Sequence, residues 1–371
     1  MRPSLRVLTT AIGALALVGG ATTAASASTP FLSSLTHIKV IGSTVPTNGD
    51  VNPYGVAVVP MTTGHLLQGA VLVSNFNAAS NLQGTGTTIV QITPKGTRSQ
   101  FARIDASHLP GACPGGVGLT TALSVLSSGW VIVGSLPTAD GTAATARAGC
   151  LIVLDSSGQV RETISNRFIN GPWDMTAADH GSTADLFVTN VLFGTVAANG
   201  ATVDRGTVIR IRLSVSGGTA TPPVAQTPVI IGSGFAEHSD PGALVVGPTG
   251  VTLAANDTLF VADTASNRIS AIPHASSRSH SAMTGADVTS GGLLNSPLGL
   301  ALTPGGDVLS VNGGDGLIVE TTPTGSQVAS AVLDATGDPA GAGTLFGLAL
   351  TPAGDGVYFV DDGSNTLNLL H

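Results

Sequence analysis

Asn295-Ser296-Pro297-Leu298-Gly299-Leu300-Ala301-Leu302 reads as a turn that opens a strand, and the phrase recurs along the chain. Asn52-Pro53-Tyr54-Gly55-Val56-Ala57-Val58 is a second copy, and Leu345-Phe346-Gly347-Leu348-Ala349-Leu350 is a third without the proline. A β unit that returns at a regular rhythm cannot bury its own faces alone, so the copies must stack on one another.

Working outward, each copy is followed by a turn and a Val-rich strand that stops on a polar residue. Six such endings occur: Val73-Ser74-Asn75, Val133-Gly134-Ser135, Val188-Thr189-Asn190, Val261-Ala262-Asp263, Ser310-Val311-Asn312 and Phe359-Val360-Asp361. The inner strands expected before them lie around Val56 to Val59, Leu119 to Val125, Trp173 to Ala177, Ala243 to Val246, Leu298 to Leu302 and Phe346 to Leu350. Thr303-Pro304-Gly305-Gly306-Asp307 and Thr351-Pro352-Ala353-Gly354-Asp355 supply the fixed and positive φ values of tight turns between the two strands. Third strands follow at Thr88 to Ile92, Leu151 to Leu154, Val208 to Ile211 and Leu317 to Glu320.

The inner strands carry Gly or Ala on one face and Val or Leu on the other. Burial on both faces suits a blade sandwiched between neighbours. A spacing of ~50 residues is too long for the coils of a parallel β-helix, and it suits four-stranded blades. Because the chain stops just after the third strand of the last unit, Leu35 to Ile41 is expected to complete the sixth blade and remove an exposed edge. The predicted fold is all-β, a six-bladed β-propeller closed by an N-terminal strand.

Arg2 and Arg6 precede an apolar run from Ala11 to Val18, and Ala25-Ser26-Ala27 has the form of a cleavage site. The run is shorter than the ~20 residues a membrane span needs. Residues 1–27 are therefore expected to be a signal peptide and 28–371 a single propeller domain, secreted or extracytoplasmic and without a stable membrane span after cleavage. The whole chain has 14 basic and 22 acidic residues; without Arg2 and Arg6 the net charge is −10. That balance argues against nucleic acid or an anionic membrane as partner. The 49 glycines and 21 prolines fit many short strands joined by tight turns. In an exported chain the two cysteines, Cys113 and Cys150, are expected to form one disulfide across loops.

In a propeller the loop entering the inner strand and the loop leaving the second strand emerge on one face. The candidate ligand-binding residues are therefore Asn52, Asn170, Asp240 and Asn295 from the first set of loops. Asn75, Ser135, Asn190, Asp263, Asn312 and Asp361 come from the second. Their oxygens suit a hydroxylated ligand or a hard cation such as calcium. Asn and Asp also cap turns by bonding their own backbone, which each blade requires regardless of function. Tyr54, Trp173, Leu298 and Phe346 occupy equivalent sites and read as inter-blade packing, with contact around a ligand as the alternative. Asp174 stands where Gly55, Gly299 and Gly347 stand in other units, and a carboxylate there must face water or find a partner.

His65, His108, His180, His238, His274 and His280 lie in loop-like surroundings with no pair at metal-ligand spacing and read as solvated loop residues. No G-x-S-x-G elbow accompanies a strand-to-helix turn. Asp362-Gly363-Ser364-Asn365 lacks the terminal Glu of a calcium loop.

Leu259-Phe260-Val261-Ala262-Asp263-Thr264-Ala265-Ser266-Asn267-Arg268-Ile269 resembles the signature of NHL-repeat propellers, and Tyr358 to Asn365 repeats it loosely. The resemblance implies six blades. It extends to the gluconolactonase family, whose members hold a divalent cation with a Glu, Asn and Asp set at the channel mouth. In Asn170-Gly171-Pro172-Trp173-Asp174 this chain has Asn170 where that family presents the Glu. Streptogramin lyase is similar in fold and works by His and Glu chemistry.

The expected function is an exported ligand- or protein-binding module acting through the channel-mouth face, with a lactonase- or lyase-like enzyme at the same face as the alternative. The expected partner is a small molecule or an extracytoplasmic protein. The chain is expected to be monomeric and without a cofactor, calcium or another divalent cation being the ion its oxygens would suit.

Overall fold

A computed structural model of the chain describes residues 1, 29–217 and 220–371, so the leader expected over 1–27 falls, Met1 apart, outside the described residues. Among the described residues six antiparallel sheets stand around one axis. Blade one is Val51–Val58, Val71–Asn77, Thr88–Ile92 and Arg98–Arg103. Blade two is Leu119–Val125, Val131–Ser135, Cys150–Leu154 and Val160–Ile164. Blade three is Gly171–Asp179, Thr183–Val191, Val203–Ser214 and Val229–Asp240. Blade four is Pro248–Leu253, Leu259–Asp263, Arg268–Ile272 and Ala286–Ser290. Blade five is Pro297–Leu302, Val308–Asn312, Leu317–Thr321 and Gln327–Val332. Blade six takes Leu345–Leu350, Val357–Asp361 and Thr366–Leu370 from the C-terminus and Ile38–Ser43 from the N-terminus.

The closing strand pairs antiparallel with the last one, from Ile38 opposite Leu370 to Ser43 opposite Thr366. Ahead of it, Phe31–Ser34 forms a 3₁₀ turn. The backbone N–H groups of Phe31 and Leu32 donate to the two oxygens of the buried Glu320 in blade five, at 2.9 and 2.8 Å. Both ends of the closure are thus tied, one by a β ladder and one by a carboxylate.

All six polar strand endings read from the sequence take equivalent places. Asn75, Ser135, Asn190, Asp263, Asn312 and Asp361 lie opposite Pro53, Leu119, Pro172, Pro248, Pro297 and Leu345. One expectation is corrected. The fourth inner strand is Pro248–Leu253, whereas Leu244–Val246 pairs with His238–Asp240 as an extension of blade three. Pro248 holds the place of Pro53, Pro172 and Pro297; the apolar run Ala243 to Val246 imitated a strand of the array.

Each inner strand bulges just after that pair, between Pro53 and Val56, Leu119 and Leu123, Pro172 and Met175, Pro248 and Val251, Pro297 and Leu300, and Leu345 and Leu348. Inner strands of successive blades touch around the whole ring, and the bulge is where they come closest. A Cβ added to Gly347 would lie 2.3 Å from the carbonyl oxygen of Tyr54, and one on Gly299 2.2 Å from that of Phe346. Glycine is required there by close backbone approach.

Cys113 and Cys150 form the expected disulfide, with Cα atoms 5.1 Å apart. It ties the loop before blade two to that blade's third strand.

Candidate functional site

The axial channel is closed at one end and hollow at the other. At the end where the inner strands begin, the Tyr54 ring stacks on Phe346 and Phe76, with centroids 4.0 and 4.5 Å apart, and lies 6.1 Å from Trp173. Leu298, Leu244 and Val245 pack into the same cluster. The void left between Tyr54, Phe76, Thr120, Leu136, Trp173 and the Ala243 to Val245 strap is about 10 Å³, at the lower limit for one water. The plug explains why burial grades along the inner strands. They begin buried and become half-exposed at their C-terminal ends, at Val125, Thr176, Thr252, Leu302 and Ala349.

At that open end all six inner strands line a cavity of about 360 Å³. Each inner strand is the edge of its sheet and pairs on one side only, so the cavity wall includes backbone N–H and C=O groups not used in a ladder. Asp174 is the one titratable side chain among the lining residues. It sits in the bulge of blade three, and bulges re-aim side chains. Its Oδ1 accepts the N–H of Met175 at 2.8 Å and its Oδ2 accepts the N–H of Val251 in blade four at 3.1 Å. In the bulges of blades one, four, five and six, Gly55, Gly250, Gly299 and Gly347 let the backbones meet, and blade two carries Thr120 to Ala122; here a carboxylate spans two blades instead. Burial pushes the Asp174 carboxyl up to about 7, against the opposing pull of those two N–H bonds. Thr121, from the neighbouring blade two, also lines the cavity, and its buried Oγ1 has no hydrogen-bond partner among the described residues.

The other candidate residues lie toward the plugged end and are engaged there. Asn52 donates its backbone N–H to Asn365 Oδ1 at 2.8 Å. Asn75 Nδ2 donates to the Thr44 carbonyl at 3.1 Å, Asn170 Nδ2 to that of Leu192 at 2.5 Å, and Asn312 Nδ2 to that of Leu293 at 2.8 Å. Asn190 makes a long bond to the Val188 carbonyl, at 3.4 Å. Asp240 caps its own turn by accepting from Gly242 and Ala243, and Asp361 does the same for Ser364. Asp263 pairs with Arg268 at 2.8 Å. The Asn295 carbonyl accepts from Gly314 at 3.1 Å. Trp173 belongs to the plug. The structure therefore brings Asp174 alone of the set into the cavity.

Oxygens that could meet a hard cation remain at the ends of the second strands. Oδ1 of Asn75, Asn190, Asp263 and Asn312 is buried without a partner among the described residues. Each belongs to a different blade, and no group of three or more His, Cys, Asp or Glu is arranged to hold a metal among those residues. Thr121 has no individual role in the sequence reading, and Leu244–Val246, expected there as an inner strand, instead straps the plugged end. A hydroxyl on an inner strand where other units carry Gly or Ala was the available signal for Thr121.

No protein-family model and no curated protein sequence matches the chain. Solved structures do. A gluconolactonase from Xanthomonas campestris superposes with a TM-score of 0.56 at 14% identity, covering 90% of this chain and 93% of that one. A luciferin-regenerating enzyme gives 0.56 at 11% identity, with 90% and 94% covered. A catalytically inactive virginiamycin B lyase from Staphylococcus aureus, with quinupristin, gives 0.51 at 16%, with 90% and 86% covered. Identities this low speak to fold alone. The chain is a six-bladed β-propeller, similar in fold to these three structures.

Proposed function

We propose that the protein is an exported small-molecule-binding propeller whose site is the axial cavity around Asp174. The observation that carries this reading is a lone carboxyl, standing where blades one, four, five and six have glycine, in a cavity walled by all six inner strands. Thr121 adds a hydroxyl without a partner among the described residues, and the strand edges add further donors and acceptors. A neutral hydroxylated molecule suits such a wall, since Asp174 can accept a hydrogen bond when ionised and donate one when protonated. Export draws on the leader-like residues 1–27 and on the Cys113–Cys150 bridge, which belongs to oxidising compartments. Among the described residues no helix is long and apolar enough to cross a membrane.

A second reading, a lactonase- or lyase-like enzyme using the same cavity, draws on the raised Asp174 carboxyl. A group near 7 is suited to general acid–base work at neutral pH. The names of the fold neighbours lend this reading its reaction class.

Ligand-observed NMR with neutral hydroxylated compounds, glucono-δ-lactone among them, tests both. Binding that is lost in Asp174→Ala and weakened in Thr121→Val supports the cavity site. Consumption of the lactone that stops in Asp174→Asn selects the enzyme. Binding that survives both cavity substitutions moves the site elsewhere and sinks the proposal.

A further inference from the structure

The ring seam carries an unused pair of imidazoles. In blades one, two and five the third and fourth strands are joined by tight turns, closed by Thr93 N–H to Thr97 O, Asp155 N–H to Gln159 O and Thr322 N–H to Ser326 O. In blade six the corresponding strands come from opposite ends of the sequence, and no peptide joins them. His371 and His37 stand where the turn would be. The His371 N–H donates to the His37 carbonyl at 2.8 Å, and the His37 N–H donates to the His371 carbonyl at 2.9 Å. An antiparallel pair that exchanges both bonds sets its side chains side by side on one face. Both residues are exposed, and their ring centroids are 6.1 Å apart with a 48° tilt.

We propose that His37 and His371 form a two-imidazole site for a zinc ion that clasps the seam of the propeller. A zinc bound about 2.1 Å from a nitrogen of each ring lies roughly 3.2 Å from each centroid. At the tetrahedral angle two rings sharing one ion have centroids roughly 5.2 Å apart, so from their separation of 6.1 Å the two exposed rings close by about 1 Å on binding, through side-chain rotation. Imidazole is a preferred ligand for zinc, and water completes the tetrahedron. Neither imidazole is engaged in a hydrogen bond or ion pair among the described residues, so binding displaces no existing contact. The folded ring holds the two residues together, whereas the unfolded chain leaves them at its opposite ends. Zinc therefore binds the closed propeller in preference to the unfolded chain and stabilises the one blade that lacks a covalent hairpin.

Titrating tag-free full-length protein with zinc chloride, by calorimetry and by thermal melting, tests the clasp. One zinc per chain is expected, with affinity at least tenfold weaker in His37→Gln and in His371→Gln and unchanged in His65→Gln. At free zinc one hundred times the dissociation constant, the unfolding equilibrium falls about 100-fold. The melting temperature then rises by about 4 °C, and neither seam variant shows the rise. Absence of zinc binding up to millimolar concentration, or binding unchanged in both seam variants, overturns the proposal. So does binding that leaves the melting temperature where it was.

Discussion

The side-chain Oδ1 of Asn365 accepts the backbone N–H of Asn52 at 2.8 Å, joining the last blade to the first. Asn267 does the same two blades earlier in the array, joining blade four to blade five, its Oδ1 accepting from Ser296 at 2.9 Å. Both asparagines have positive φ, 53° and 50°, a conformation Asn tolerates better than other residues with a side chain. Both also donate through Nδ2 to a loop carbonyl, Asn365 to Asp362 and Asn267 to Leu294. Asn267 and Asn365 are thus brackets between neighbouring blades.

Replacing the bracket separates its two parts. Asn365→Gly keeps the backbone conformation and removes both side-chain bonds; Asn365→Ala removes the bonds and adds the strain of positive φ. The bonds contribute about 1 kcal/mol each and the strain about another, so the order of stability in urea unfolding is parent, glycine variant, alanine variant. Equal stability of Asn365→Ala and parent would remove the bracket role.

The bracket explains why so much of the ring was legible in sequence and why the site was not. Strand ends such as Val261-Ala262-Asp263 are encoded locally, by Val-rich strands stopped by a polar turn residue, so six blades and their closure followed from spacing. Pro248 was missed because Ala243 to Val246 has the same local pattern and differs only in its partner, the end of blade three. Tyr54, Trp173, Leu298 and Phe346 were recognised as equivalent positions. That they close the channel depends on their meeting at the axis, which no local pattern reports. The Glu320 contacts span 288 and 289 residues and leave no periodic trace. Asp174 was visible because it broke a glycine series.

The Glu320 carboxylate is expected to hold the N-terminal turn in place. Glu320→Ala leaves the N–H groups of Phe31 and Leu32 without partners, at a cost of about 3 kcal/mol for two bonds to a charged acceptor. Hydrogen exchange at Phe31 and Leu32 accelerates in the variant while the inner strands of blades two and three stay protected. Unchanged exchange at those two amides would show that something else anchors the segment.

Gly347→Ala tests the close approach of blade six to blade one. Its Cβ would lie 2.3 Å from the Tyr54 carbonyl oxygen, and the obstruction is backbone, so two inner strands must separate. A loss of about 3 kcal/mol or more is expected. Gly305→Ala is the control. Its Cβ would meet nothing closer than Thr303 Oγ1 at 3.6 Å, and its effect stays within about 0.5 kcal/mol. Similar stabilities for the two variants would contradict the packing described for the bulge.

The pH dependence of stability is expected to carry the signature of Asp174. Burial raises its carboxyl to about 7, and burial likewise raises Glu237 to about 7 and Asp362 to about 6. All three lie above ordinary carboxylate values, so around pH 5 to 6 the folded protein holds protons that the unfolded chain has released. Their stabilising effect is complete below about pH 4 and is lost as the pH climbs through 6 and 7. Asp174→Asn removes one of these contributions. Its amide cannot satisfy both the Met175 and the Val251 N–H, so the variant is less stable than the parent at pH 5. Between pH 5 and pH 8 the stability of the parent falls while the variant loses less, and the gap narrows by an amount on the order of 2 kcal/mol. Urea unfolding at the two pH values measures the gap, and carbon-13 NMR of the Asp174 carboxyl gives the midpoint directly. A midpoint near 4, with a gap that does not change with pH, would mean that the carboxylate is well solvated and that the cavity is not the desolvated site described for it.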